Sequence, residues 1–146
     1  MRRGGPVRLD RESLLMKRYF KPQKISASAP ADIQGLAHGK VFKRLLIAGQ
    51  VGADHTGAAP AEFEAQVELA FDNLLAVIEA AQLTTSDLIR IKAYAAAPGS
   101  LPQYNRVFAR KMGSATPVST YVEIAGLGDP RWLVLIEGEA IQEGDS

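Results

Sequence analysis

A chain of 146 residues, 47% of them hydrophobic, is long enough for one domain with its own core and too short for two comfortable ones. The absence of cysteine removes disulfide frameworks, thiolate nucleophiles and thiolate zinc sites, and no apolar stretch approaches the roughly 20 residues that cross a bilayer or resembles a secretory signal, so a cytoplasmic protein is expected. The net charge of +1 hides an asymmetry: residues 1–24 carry eight Arg or Lys against two Asp or Glu, whereas residues 25–146 carry nine against fourteen, and a mildly acidic body argues against nucleic acid as a partner.

Met16-Lys-Arg-Tyr-Phe20 reads as a natural beginning, so residues 1–15 are expected to be a basic extension and residues 16–146 a single domain. Lys17 to Ser26 reads as a first strand, followed by a small, polar loop through Ser28, Pro30, Gly35 and Gly39. Arg44-Leu-Leu-Ile-Ala-Gly-Gln50 is a second strand, closed by Gly52 and the turn Asp54-His-Thr-Gly57. Pro60 opens a helix on which Phe63, Val67, Phe71, Leu74, Leu75 and Ile78 mark one face of a 3.6-residue period. After the break at Thr84–Asp87, Leu88 to Ala95 alternates, with Ile89, Ile91 and Ala93 on one side and Arg90, Lys92 and Tyr94 on the other.

Pro98-Gly-Ser100 ends that strand, Ser100 is a candidate cap, and Tyr104, Val107, Phe108 and Met112 trace a second, shorter helix. Two closing strands, Val118–Ala125 and Trp132–Ile141, flank a Gly-Leu-Gly-Asp-Pro connection. The order β, β, α, β, α, β, β supplies helices for only one face of a sheet, an α+β layer. Leu133, Leu135 and Ile141 on one side of the last strand, and Val134, Ile136 and Ala140 on the other, make both of its sides apolar, so the uncovered side predicts a homo-oligomer.

Glu137 is the strongest site candidate, because a carboxylate inside an apolar strand is tolerated only where it is exposed, paired or used. Metal ligation is not expected: His38 and His55 are the only histidines and stand beside no carboxylate cluster at ligand spacing. Neither a phosphate-binding loop, a dinucleotide fingerprint nor a serine triad is present.

Six features in order resemble the Rid (reactive intermediate deaminase) or YjgF family. They are Arg44-Leu-Leu-Ile-Ala-Gly-Gln50, the helix bearing Gln66 and Asn73-Leu-Leu75, Asp87-Leu-Ile-Arg-Ile91, Tyr104-Asn-Arg-Val-Phe108, Pro117 with Val122-Glu-Ile124, and Ile136-Glu137. The resemblance covers about residues 16–141 and implies a chorismate-mutase-like fold, a mixed sheet with two helices on one face, and a homotrimer with clefts between subunits. It further implies cofactor-independent hydrolysis of enamines and imines to a keto acid and ammonia, by a small-molecule site with no metal.

By that resemblance Glu137 matches the glutamate near the attacking water, while Gly49 and Asn105 match further cleft positions. The substrate-gripping arginine falls on Ser119, a tyrosine near Leu36, and a serine on Ala48. A serine offers a carboxylate one neutral bond where an arginine offers two charge-assisted ones. Strand parity groups Ser119 with Tyr121 and Glu123, so the cleft is expected to present hydroxyls and an aromatic edge, suited to a metabolite other than a simple 2-imino acid. The alternative is a trimer that binds a small molecule without catalysis. Ribonuclease action, a label some relatives carry, finds no support in an acidic body without paired histidines.

Overall fold

The computed structural model describes residues 17–20, 35–38 and 42–143, with side chains from residue 44 to 142. The elements are β1 (Lys17–Phe20), β2 (Gly35–His38), β3 (Phe42–Val51), α1 (Phe63–Ala80), a single 3₁₀ turn (Thr85–Asp87), β4 (Leu88–Ala95), α2 (Leu101–Met112), β5 (Val118–Glu123) and β6 (Val134–Glu143). They form one six-stranded sheet in the order β1-β2-β3-β6-β4-β5. Only the β4–β5 pair is parallel. The last strand therefore sits between β3 and β4, antiparallel to both, and helices span the two long crossovers.

Both helices lie on one face. Val67, Ala70, Phe71, Leu74, Val77 and Ile78 of α1 bury fully or nearly so against Leu45, Ile47, Ile91, Ala93, Val134, Ile136 and Ala140 of the sheet. The predicted α1 stripe is right at four of its six positions, with Phe63 and Leu75 only partly buried at its flanks. The helix begins at Phe63 and not at Pro60. Pro60 stays in the loop, where its carbonyl accepts a bond from Gln66 Nε2 at 2.7 Å. Beyond Ala80 the chain turns at Gln82 (φ 60°), whose amide reaches Glu79 O while the Leu83 amide reaches Ile78 O. That is a Schellman stop made without glycine.

Two buried amides fix the loops around α1. Asn73 Nδ2 donates to Val51 O (3.0 Å) and Ala53 O (2.9 Å). Gln66 Nε2 donates to Arg131 O as well as Pro60 O, both at 2.7 Å, and its Oε1 accepts from the Leu133 amide at 2.8 Å. That last bond explains why β6 starts at Val134 and not at the expected Trp132: the Leu133 amide is spent on the helix. Surface pairs Arg106–Glu64 and Lys111–Asp72 link α2 to α1, each a small contribution in water.

The sheet differs from expectation at its N-terminal edge. Gly35–His38, read as loop, is a strand paired to both β1 and β3. Four residues without alternation carry no strand signal of their own; pairing with the ten-residue β3 supplies it. Of the expected first strand, residues 17–20 are described and 21–26 lie outside the described residues, as does the proposed extension 1–15. β5 stops at Glu123, two residues short of the expected end, and the Ile124 amide turns to Ala95 O. Among the described residues, no helix is long and apolar enough to cross a membrane.

Candidate functional site

The face opposite the helices carries alternate residues of the central strands. On β6 these are Leu135, Glu137, Glu139 and Ile141, all partly exposed, while Val134, Ile136 and Ala140 point to the core. On β4 they are Arg90, Lys92 and Tyr94, in agreement with the predicted alternation of those three. The antiparallel register sets Lys92 directly across from Glu137, Arg90 across from Glu139 and Tyr94 across from Leu135. Ile89, expected on the core side, is 39% exposed, because the register slips between Leu88 and Arg90.

Glu137 therefore has neighbours that its own strand does not supply. Tyr94 donates its hydroxyl to Glu137 Oε1 at 3.2 Å. The Lys92 ammonium lies 5.2 Å from the centre of the Tyr94 ring, in cation–π range. Lys92 titrates above its ordinary value, chiefly through the Tyr94 hydroxyl and more weakly through the Glu137 charge. Beside Glu137 opens a hollow of about 220 Å³ lined by Leu46, Ile47, Arg90, Glu137, Gly138 and Glu139. Glu139 is engaged by Arg44, whose Nε donates at 2.9 Å and whose Nη2 also touches the same oxygen.

Gly49 borders this region for a steric reason. The β3–β6 register breaks between Ile47 and Gln50, and a Cβ on Gly49 would stand 2.5 Å from Leu135 Cδ2. Glycine lets Leu135 lie across the irregular strand. Ala48 is half-buried in the same break, and its carbonyl accepts from Gln50 Nε2 at 2.9 Å. Leu36 is described in backbone only, on β2, paired with Leu46 of the hollow and with Tyr19.

Three other expected site residues lie elsewhere. β5 runs parallel to β4 with Ser119 opposite Ile91 and Tyr121 opposite Ala93, and both partners are fully buried on the helix side. Ser119 and Tyr121 therefore belong to the helix-covered face, not to the wall that holds Glu137. Tyr121 hydroxyl bonds Ser100 Oγ at 2.7 Å, and its ring centre is 5.1 Å from that of Tyr104. Glu123 accepts from the Gly99 amide at 2.8 Å. Ser100 thus serves β5 and the Ala97 carbonyl and makes no side-chain cap on α2.

Burial pushes the Tyr104 phenol up to about 12, with the Ser119 hydroxyl pulling the other way. Asn105 is exposed on α2, on the helix side of the sheet, and its side chain bonds no described residue. One protomer thus joins Glu137 with Gly49 and Ala48, and leaves Ser119, Tyr121 and Asn105 across the sheet. Sequence reasoning missed Arg90, Lys92 and Tyr94 as companions of Glu137. Their alternation was visible, but only the placement of β6 beside β4 brings them to it.

The family model described as Endoribonuclease L-PSP matches residues 26–142. The chain belongs to the Rid/YjgF family. The RutC family protein PH0854 of Pyrococcus horikoshii is 32% identical over 99 residues, 66% of this chain and 76% of that protein. The RutC family protein YjgH of Escherichia coli is 31% identical over 80 residues, 55% of this chain and 61% of its own length. Among solved structures, RidA from an Antarctic Psychrobacter superposes with a TM-score of 0.76 at 25% identity, covering 84% of this chain and 98% of that one. The Rid-family protein YyfA from Yersinia pestis gives 0.75 at 20% identity, over 86% and 98%, a likeness of fold.

Proposed function

We propose that this Rid/YjgF-family protein is a cofactor-independent hydrolase that deaminates a reactive enamine or imine, with Glu137 as the base and clefts between the copies of a homotrimer as its sites. The observation that carries this reading is the Tyr94–Glu137 hydrogen bond at the rim of an open hollow. Tyr94 fixes one carboxylate oxygen, and no described residue bonds the other. A carboxylate so oriented accepts a proton from a water as the water oxygen bonds to the imine carbon. The C=N π pair passes to nitrogen, which takes up a proton. Collapse of the resulting carbinolamine forms C=O, breaks C–N and releases ammonia, so one imine and one water give one carbonyl and one ammonia.

The assembly follows from the two faces. Leu46 (37% exposed), Val122 (37%) and Val118 (67%) leave apolar surface beside Leu135 and Ile141 on the side away from the helices. Ser119 and Tyr121 stand on β5, an edge strand, and on the other face from Glu137. A cleft that uses all three takes them from two copies, with the β5 edge of one against the open face of the next. Sedimentation at micromolar concentration should give a trimer, and a monomer would remove the shared cleft.

The chemical test generates imines in situ with an amino acid oxidase acting on a panel of amino acids, and follows ammonia release. Glu137→Gln should lower that release by about 100-fold or more, the usual worth of a positioned base. A second reading is binding without turnover, supported by the family resemblance, under which the arginine position falls on the neutral Ser119. Under that reading neither the natural chain nor Glu137→Gln accelerates ammonia release.

A further inference from the structure

Residues directly opposite each other on antiparallel strands hold their Cβ atoms about 4.5–5.5 Å apart. Lys92 and Glu137 are such a pair, an ammonium facing a carboxylate, and yet Lys92 forms no salt bridge among the described residues. Its Nζ stands instead over the Tyr94 ring, 5.2 Å from the centre, and it is the Tyr94 hydroxyl that reaches Glu137 Oε1, at 3.2 Å. The phenol links the two charges. The same hydroxyl is the foremost cause of the raised Lys92 titration, ahead of the Glu137 charge, with Arg90 opposing. The other charged groups on this face are Arg90 on β4, and Glu139 on β6 bonded to Arg44 on β3, while β5 sets only Thr120 beside Lys92.

We propose that Lys92 is a positioning residue that acts on Glu137 through the Tyr94 hydroxyl, keeping the phenol proton directed at one carboxylate oxygen and the other oxygen open to the attacking water. A phenol oxygen both donates and accepts, whereas an ammonium only donates. Where the two meet, the ammonium takes the acceptor side of the phenol, and the O–H is left for Glu137. Each bond in such a chain polarises the next. A direct Lys92–Glu137 ion pair would do the opposite, since it would occupy the carboxylate that a base needs free. The inference rests on the deaminase reading for its effect on rate, and it adds a residue that does not line the hollow.

The experiment is a double-mutant cycle on ammonia release from imines generated in situ by an amino acid oxidase. Lys92→Met keeps the apolar stem and removes the ammonium; it should lower the turnover number about two- to fivefold, the worth of one exposed cation–π contact, with KM nearly constant. Lys92→Arg, whose guanidinium also stands on aromatic faces, should recover most of the loss. With Tyr94→Phe already in place, Lys92→Met should slow the reaction no further. An unchanged rate in Lys92→Met, a loss just as large in the Tyr94→Phe background, or a loss that falls on KM would overturn the proposal. A second readout needs no turnover: side-chain NMR titration should place the Lys92 midpoint above that of ordinary lysines, and Tyr94→Phe should return it to their range. A midpoint that Tyr94→Phe leaves in place overturns the proposal, as does Lys92→Met that breaks the assembly in sedimentation, which marks an interface lysine. A Lys92 titration that responds to Tyr94 without any ammonia release from the natural chain sinks the deaminase reading alone, and ammonia release with an additive cycle sinks this inference alone.

Discussion

Replacing Gln66 by leucine tests how the loop preceding β6 is held. The side chain is fully buried and makes three bonds of 2.7–2.8 Å, two donated to the Pro60 and Arg131 carbonyls and one accepted from the Leu133 amide. Leucine nearly preserves the volume and deletes all three. The half-buried Leu133 amide loses its side-chain acceptor, while the two loop carbonyls can turn to water, so the expected loss is about 1–3 kcal/mol. Folded domains hold about 5–15 kcal/mol, so the variant should still fold.

The assay is urea unfolding at one fixed protein concentration, since the proposed assembly makes apparent stability depend on concentration. Trp132, the single tryptophan of the chain, adjoins both Arg131 and Leu133 and should report the loosened loop by a red-shifted emission before global unfolding. A loss under about 0.5 kcal/mol, within the range of a neutral surface change, together with unmoved Trp132 emission would refute the clamp.

Tyr94→Phe removes the hydroxyl that orients Glu137 and should slow ammonia release about tenfold, the worth of one hydrogen bond, with KM nearly constant; an unchanged turnover number would deny Tyr94 a positioning role. Gly52→Ala would drive a methyl into the Gln66 carbonyl of α1 and should cost about 1–3 kcal/mol in urea unfolding, since backbone cannot yield as a side chain does. Tyr104, raised to about 12 by burial, keeps its proton in the folded chain where the unfolded chain has lost it. Stability should therefore be intact below about pH 10 and fall by about 2–3 kcal/mol between pH 10 and 12, and Tyr104→Phe should flatten that limb.

Period and composition were enough for the layers of this molecule. The α1 stripe, the alternation of β4 and the one-sided helices are local consequences of where apolar side chains fall; the structure reproduces the helix placement, four of the six stripe positions and the β4 alternation except at Ile89. Strand ends and the short β2 were not legible, because partners decide them: Gln66 takes the Leu133 amide, and β3 gives Gly35–His38 its hydrogen bonds. For the site, the sequence singled out Glu137 as a carboxylate inside an apolar strand. Its actual neighbours come from β4, about 45 residues earlier in the chain.

The sequence by itself thus determined the family, the α+β layering and the identity of the one acid worth testing. Tertiary structure alone decided which charges stand around that acid and which expected partners do not. Side-chain parity along a strand can be read from sequence, but parity says nothing about which strand lies beside which. Inserting β6 between β3 and β4 put Glu137 on the face of Arg90, Lys92 and Tyr94, and the parallel β4–β5 register turned Ser119 and Tyr121 to the other side.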